Sequence, residues 1–522
     1  MRPLLPLHLF LDLRVYLTYF GVYPTTMSYK HIGVWLFVAW LFISGGAAVS
    51  PEEGRFIYFR WDGGAAGPEA GSLPERLDSP DVLRWRTTLD SGHSTPIACN
   101  GRIFLTTYNA ATKELATLAL AVDTGRILWK RIAPATRIEE FNPTTGGPAQ
   151  ATPACDGRRL YVFFGSYGLI CYDLEGRLVW KRRMGPFRDE YGTASSPILI
   201  DDKVIIQQDH DVDSFLMALE SKSGRVIWKS ERPNAVRSYS TPAVWTRNGR
   251  KELLVAGALE LAGYDPSDGK RLWWTYGLAR VVIPVPVPSG DLVFMASWTP
   301  GGDTQQRIGM DSWPEALRKW DKNGDGKLTR NEVDDIDHDG ISEKRGRAGE
   351  EVLDRFAAMD LDLSGELQQA EWERYAAVFR RAQNGTLAIK PSSAGGEQKE
   401  STVVWRYARG APYVATPLLD RGILWMVKDG GIVTKISAAA GDVLQENRLP
   451  AMGSYYASPV SADGKVFFAS QQGVVSVIAN EQDWRVIASH DFMEKIYATP
   501  LVAEGRLFIR TEKALYCFQT RK

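Results

Sequence analysis

Residues 121–129 read Ala121-Val-Asp-Thr-Gly125-Arg-Ile-Leu-Trp129. An apolar strand runs into Asp and Gly, and a second apolar strand ends on a large aromatic. Asp and Gly between two apolar runs mark a hairpin, because Gly supplies the positive φ that a tight turn needs. The same phrase closes at Gly176 and Trp180, at Gly224 and Trp228, and at Gly269 and Trp273, each Trp standing at the same distance after its Gly. One copy is an ordinary hairpin. Four in phase are a repeat architecture.

A second marker extends the count. Thr or Ser followed by Pro opens each copy at Thr95-Pro96, Thr152-Pro153, Ser196-Pro197, Thr241-Pro242, Thr416-Pro417, Ser458-Pro459 and Thr499-Pro500, with Ile283-Pro284 in the remaining slot. Pro is tolerated at the first residue of a strand, where its missing N–H matters least. After each pair come a short strand, a turn, an apolar strand, a polar turn and a further strand. Four strands per unit of this length predict a propeller blade. The expected fold is all-β, an eight-bladed β-propeller. Its last copy ends one strand short at Leu515-Tyr-Cys-Phe, and the orphan strand around Trp85 supplies the missing piece. That N-terminal strand closes the ring and leaves no free sheet end.

An acidic turn closed by Gly-x-x-x-Trp, with a preceding Thr-Pro, resembles the pyrroloquinoline-quinone (PQQ) type β-propeller repeat, over about 82–298 and 385–522. The resemblance implies the propeller fold. It implies either of two activities: members include quinoprotein alcohol dehydrogenases and a non-enzymatic propeller subunit of the outer-membrane-protein assembly machine. It also implies that Trp129, Trp180, Trp228 and Trp273 pack between neighbouring blades. Two copies depart: Gln445 stands for the Trp in one, and Asn480-Glu-Gln-Asp-Trp484 breaks the spacing in the other.

The rest of the chain divides around this ring. Residues 1–50 read as a signal-peptide region. Ile32–Ile43 is an apolar run after Lys30 and His31 and before small residues, too short for a comfortable membrane span. Met27 stands where such a peptide should begin, and an uncleaved anchor is the alternative. No cysteine near the exit offers lipid attachment. Residues 51–80, rich in Gly, Pro and acids, read as a flexible leader. Residues 81–299 hold blades one to five in part, 300–384 an insertion, and 385–522 the remainder. The expected location is periplasmic or secreted, as a monomer with no stable membrane span after cleavage.

Composition narrows the partners. Lys plus Arg and Asp plus Glu stand at 62 each in 522 residues, so no global field favours nucleic acid. The four cysteines are too few for a disulfide framework and read as buried thiols, with one disulfide left open in an oxidising compartment. The six histidines form no metal-ligand cluster, and neither a nucleophile elbow nor a phosphate loop occurs.

In the insertion, acids and helical spacing replace the strand pattern. Asp321-Lys-Asn323-Gly-Asp325-Gly326-Lys327-Leu328-Thr-Arg-Asn-Glu332 matches an EF-hand calcium loop. Asp321, Asn323 and Asp325 offer side-chain oxygens, Lys327 a carbonyl and Glu332 a bidentate carboxylate. Asp360, Asp362, Ser364, Glu366 and Glu371 repeat the pattern, with Gly365 at the sharp turn. Calcium, a hard ion seeking six to eight oxygens, is the expected cofactor. Asp335-Ile-Asp337-His-Asp339-Gly340 begins like a third loop, but Gly346 occupies its closing position. A small α-helical EF-hand pair inserted in blade five is therefore expected.

The dehydrogenase class places its quinone over calcium at the ring centre, beneath a vicinal disulfide. This chain has no Cys-Cys pair. The reading taken is a non-catalytic, calcium-binding scaffold that meets an envelope or secreted protein partner, and PQQ is not expected. A PQQ- and calcium-dependent dehydrogenase of alcohols or sugars is the alternative, ahead of a hydrolase or lyase using the funnel. Tyr191, Tyr239, Tyr413, Tyr455, Tyr456 and Tyr497 recur just before the blade-opening pairs. They are candidates for a recognition face, or else for packing between blades.

Overall fold

The structure, a computed structural model, describes residues 56–66, 71–189, 191–303, 310–334, 356 and 359–521. The signal-peptide stretch, Met27 and the Asp335–Asp339 turn lie outside these residues. Eight antiparallel sheets of at least four strands follow one another along the chain. The eighth is completed by Leu83–Thr88, which pairs with Ala514–Phe518. The expected eight-bladed propeller with its N-terminal closing strand is what the chain forms.

The glycines of the repeat phrase, Gly125, Gly176, Gly224 and Gly269, share a steric reason. Gly176 has φ +80°, and a Cβ there would lie 2.7 Å from Trp129 of the preceding blade. Trp129 also donates its indole N–H to Leu174 O at 2.9 Å. The Trp of one blade therefore lies on the hairpin of the next, and Gly leaves room for it. Trp85, Trp180, Trp228 and Trp405 do the same, donating to Val122 O, Ser221 O, Pro266 O and Ala438 O. Opposite these tryptophans stand small residues on the paired strand: Cys517 for Trp85, Ala119 for Trp129, Cys171 for Trp180, Ala218 for Trp228 and Ala388 for Trp405.

Trp273 shares a core cluster with Val293, Met295, Leu387 and Ile389 of blade five, but its indole bonds differently. It turns back on its own blade, over Gly263, and donates to Glu252 Oε2 at 2.8 Å. Blade five has no Asp-x-x-Gly hairpin to receive it. A two-residue strand, Gly396–Glu397, pairs in parallel with Arg271–Tyr276 instead. Where Gln445 replaces Trp, its strand partner Lys435 takes over. Lys435 is buried and donates to Glu481 O and Gln482 O of the next blade at 3.0 and 3.1 Å.

The blade-opening hydroxyls form a girdle around the central channel. Thr95 N donates to Thr152 Oγ1, Thr152 N to Ser196 Oγ and Ser196 N to Thr241 Oγ1. Val285 N, Thr416 N and Ser458 N repeat this toward Thr416, Ser458 and Thr499. Pro stands just before the opening strand, and the Thr or Ser before it joins two blades.

Part of the expected loose leader is held in place. Ile57 bridges Cys155 of blade two, and Ala65 bridges Ser461 of blade seven. Between them Arg60 donates to Pro417 O and Pro459 O, and burial lowers its guanidinium pKa to about 10 against the opposing pull of Asp62. The expectation of four thiols gives way at one pair. Cys99 and Cys155, on the opening strands of blades one and two, form a disulfide, while Cys171 and Cys517 are buried and free. Among the described residues no helix is long and apolar enough to cross a membrane.

Candidate functional site

The excursion in blade five leaves after Leu292–Ser297 and returns at Gly385–Ile389, its second and third strands. Helix α1 (Trp313–Trp320) starts on a Ser312–Glu315 capping box with Pro314 in its first turn. A short helix α2 (Arg330–Asp334) follows the first acidic loop, and α3 (Gln369–Arg381) follows the second. Trp313, Trp320, Phe356, Met359 and Trp372 form a core of their own. The two loops pair back to back, Leu328 opposite Leu367 and Thr329 opposite Glu366. This joins the position-eight residues of both expected loops.

Backbone N–H groups hold the carboxylates in place. In the first loop Asp321 accepts from Gly324 N and Gly326 N at 2.8 and 3.0 Å, and Asp325 from Lys327 N at 2.9 Å. Asn323 Oδ1 accepts from Asp325 N. Glu332 accepts from Thr329 N and Lys322 N. Burial works against its charge, yet these bonds keep its carboxyl below the usual value. In the second loop Asp360 accepts from Ser364 N and Gly365 N, both at 3.0 Å, and Glu371 from Leu361 N and Gln368 N at 2.7 and 3.0 Å. Ser364 Oγ donates to the Glu366 carbonyl. The carboxylate oxygens of Asp360, Asp362 and Glu371 lie within 4.8 Å of one another. Among the described residues the acids of the first loop form no such group. Lys327 and Glu366 point their charged ends at each other at 2.5 Å, which leaves their carbonyls as the donors the pattern assigns to them.

Beside the inserted module the ring opens into a funnel of about 480 Å³. Tyr191, Tyr239, Tyr375, Tyr413 and Tyr456 line it, with Arg237 and Arg280 but no carboxylate among the described residues. Below it the channel narrows to about 110 Å³ among the girdle hydroxyls, His93 and Tyr497, with Phe59 of the N-terminal crossing also in its lining. His93 stacks on Tyr497 at 3.9 Å, and burial, reinforced by Arg510, lowers its pKa to about 3. Of the six tyrosines singled out in the sequence, four line the funnel. Tyr497 lines the channel. Tyr455 is buried and bonds Ala451 O, a packing role.

Sequence reading missed a buried group behind the funnel wall. Asp189 accepts from the Tyr239 hydroxyl at 2.8 Å and from Tyr191 N at 2.9 Å, and lies 3.6 Å from His210 Nδ1. Burial and Asp189 push the Tyr239 hydroxyl well above its ordinary range. Glu139, also buried, accepts from the Thr193 hydroxyl at 2.7 Å, and burial raises its carboxyl to about 8. The loop before Ser196-Pro197 carries Asp189 two residues before its tyrosine, which is the one signal the sequence held.

A family profile described as outer membrane protein assembly factor BamB matches residues 116–280 and 378–522, more than half of the chain. No curated protein matches the chain by sequence. Among solved structures the chain is similar to BamB from Moraxella catarrhalis at 12% identity, covering 84% of this chain and 97% of that one, with a TM-score of 0.50. It is similar also to a europium-containing methanol dehydrogenase at 10% identity, covering 86% and 95%, with a TM-score of 0.53. At these identities the two structures share the propeller fold with this chain.

Proposed function

The chain belongs to the family described as outer membrane protein assembly factor BamB, and from that premise we propose that it is an exported, non-catalytic propeller scaffold that binds calcium. The ring presents a tyrosine-lined funnel to a protein partner of the envelope or the secreted space. Asp321, Asn323, Asp325, the Lys327 carbonyl and Glu332 hold one ion. Asp360, Asp362, Ser364, the Glu366 carbonyl and Glu371 hold the other. The observation that carries the calcium reading is the closeness of the Asp360, Asp362 and Glu371 oxygens in a loop paired back to back with a second of the same pattern. The Cys99–Cys155 disulfide fits an oxidising, exported setting.

The dehydrogenase reading is weaker on the donor set. Arg237 and Arg280 suit an anionic group, but among the described residues no Asp or Glu lines the funnel to hold the cation that such enzymes set beside their quinone. Calorimetric titration tests the metal: two calcium ions are expected in the wild type and one in either E332Q or E371Q. Undiminished uptake in the double variant removes the assignment. For the face, Tyr413→Ala with Tyr456→Ala should lower cross-linking to envelope proteins several-fold, and unchanged cross-linking removes it. Quinone-dependent dye reduction after mixing with PQQ and calcium would reinstate the enzyme.

A further inference from the structure

Helix α3 joins the second acidic loop to the funnel. Glu371 stands in its first turn, with both carboxylate oxygens engaged in the loop. Tyr375, one helical turn on and so on the same face, lines the funnel. Further along, Val378 and the adjoining Ala382 pack on Val236 and Leu259 of the ring, and the Arg280 guanidinium lies 5.1 Å from the centre of the Phe379 ring. Arg374 donates to Asp211 O and Ala235 O at 3.3 and 3.2 Å. A hydrogen-bonded helix transmits a displacement of its first turn to its second.

A separate tie leaves the other end of the loop. Arg188 Nη1 donates to Asp360 O at 3.3 Å. The next residue, Asp189, holds the Tyr239 hydroxyl and the Tyr191 backbone. Tyr239 and Tyr191 line the funnel on the ring side. The first and the last acid of the second loop are thus each linked by a chain of contacts to tyrosines lining one cavity.

We infer that calcium in the second loop sets the walls of the funnel, fixing Tyr375 through α3 and Tyr239 through Arg188 and Asp189, so that the face offered to a partner differs between the calcium-loaded and calcium-free protein. This rests on the calcium reading above and adds its regulation. A ligand that binds one arrangement of the walls more tightly is then linked to the metal, each favouring the other by the same factor.

The experiment uses the full chain labelled with 3-fluorotyrosine. The Tyr239 and Tyr375 signals are assigned by Phe replacement, and calcium uptake is followed calorimetrically in the same samples. In the wild type both signals should move by more than a linewidth as the second ion binds. E371Q should abolish both movements. R188A should keep calcium affinity within about threefold and keep the Tyr375 response but lose that of Tyr239, and R188K should restore it. Calcium uptake with both signals unmoved overturns the inference and leaves the calcium reading standing. A Tyr239 response that survives R188A overturns the second route. No uptake at all overturns both.

Discussion

Blades two and five share a plan and differ in what joins their middle strands. In blade two, Phe164 pairs with Gly168 and three residues close the turn. In blade five the equivalent pair is Ser297 with Gly385, and the whole acidic module lies between them. Both sheets keep four antiparallel strands. The difference teaches that register is set by the strands and by contacts to neighbouring blades, so the loop above is free to carry another function. The ring is held by packing and backbone bonding, whereas the module gathers carboxylates whose mutual repulsion a cation would relieve. The first should resist changes of ion, and the second should answer to them.

The largest effect is expected where a blade junction is emptied. Trp129→Ala removes a buried indole and its bond to Leu174, and should cost about 3–5 kcal/mol in denaturant unfolding. A loss below about 1 kcal/mol would mean that the Trp-on-Gly contact does not hold the junction.

Next comes pH, which acts on the ring from within. Glu139 carries a carboxyl raised to about 8, against 4.5 ordinarily. In this window the folded state keeps a proton that the unfolded state has lost, so stability falls as pH rises from 4.5 towards 8. His93 acts in the opposite sense below 6.5, because its pKa is lowered to about 3 and acid must charge it on unfolding. Between pH 6.5 and 8 the slope from Glu139 is therefore the clearer one. The wild type should lose roughly 2 kcal/mol there, at about 1.4 kcal/mol per pH unit. Glu139→Gln, neutral throughout, should keep it. Parallel slopes in the two proteins would remove the buried acid as cause.

What was legible follows from this division. The repeat was readable because each turn demands Gly at positive φ beneath a Trp, a demand that leaves identical letters at fixed spacing. The acidic loops were readable because their donors are consecutive. The group behind the funnel was not, since Glu139, Asp189, His210 and Tyr239 come from separate loops that only the stacking of neighbouring blades brings near. Nor was the Cys99–Cys155 bond, which needs the relative placement of two blades. The exchange at Gln445 escaped for a related reason. Its substitute, Lys435, stands across a strand pair, at a position where the repeat phrase does not place its aromatic.

That exchange gives a smaller test of the same junction. Lys435→Met keeps the apolar stem between Trp425 and Trp484 and removes the bonds to Glu481 O and Gln482 O. Glu481 and Gln482 are exposed, so water can replace the lost donor. A cost near 1 kcal/mol in the same unfolding assay is expected, well below that of emptying Trp129. A larger cost would make the lysine the equal of the indole it replaces.

The smallest effect on the ring should come from removing metal. The Trp-on-Gly contacts and the hydroxyl girdle include no residue of the acidic loops, and the flanking strands of blade five pair over five residues without them. A chelator should therefore leave the β signal intact and move the main melting transition by no more than about 2 °C, because ligand binding stabilises only the unit whose unfolding releases the ligand. In the same samples, amide exchange in 313–334 and 369–381 should accelerate at least tenfold. Arg188, Tyr239 and Tyr375 sit where these two behaviours meet, and exchange in the loop containing Arg188 should change by an intermediate factor. If the ring and the module instead melt together on chelation, the module is part of what holds blade five, and the contrast with blade two fails.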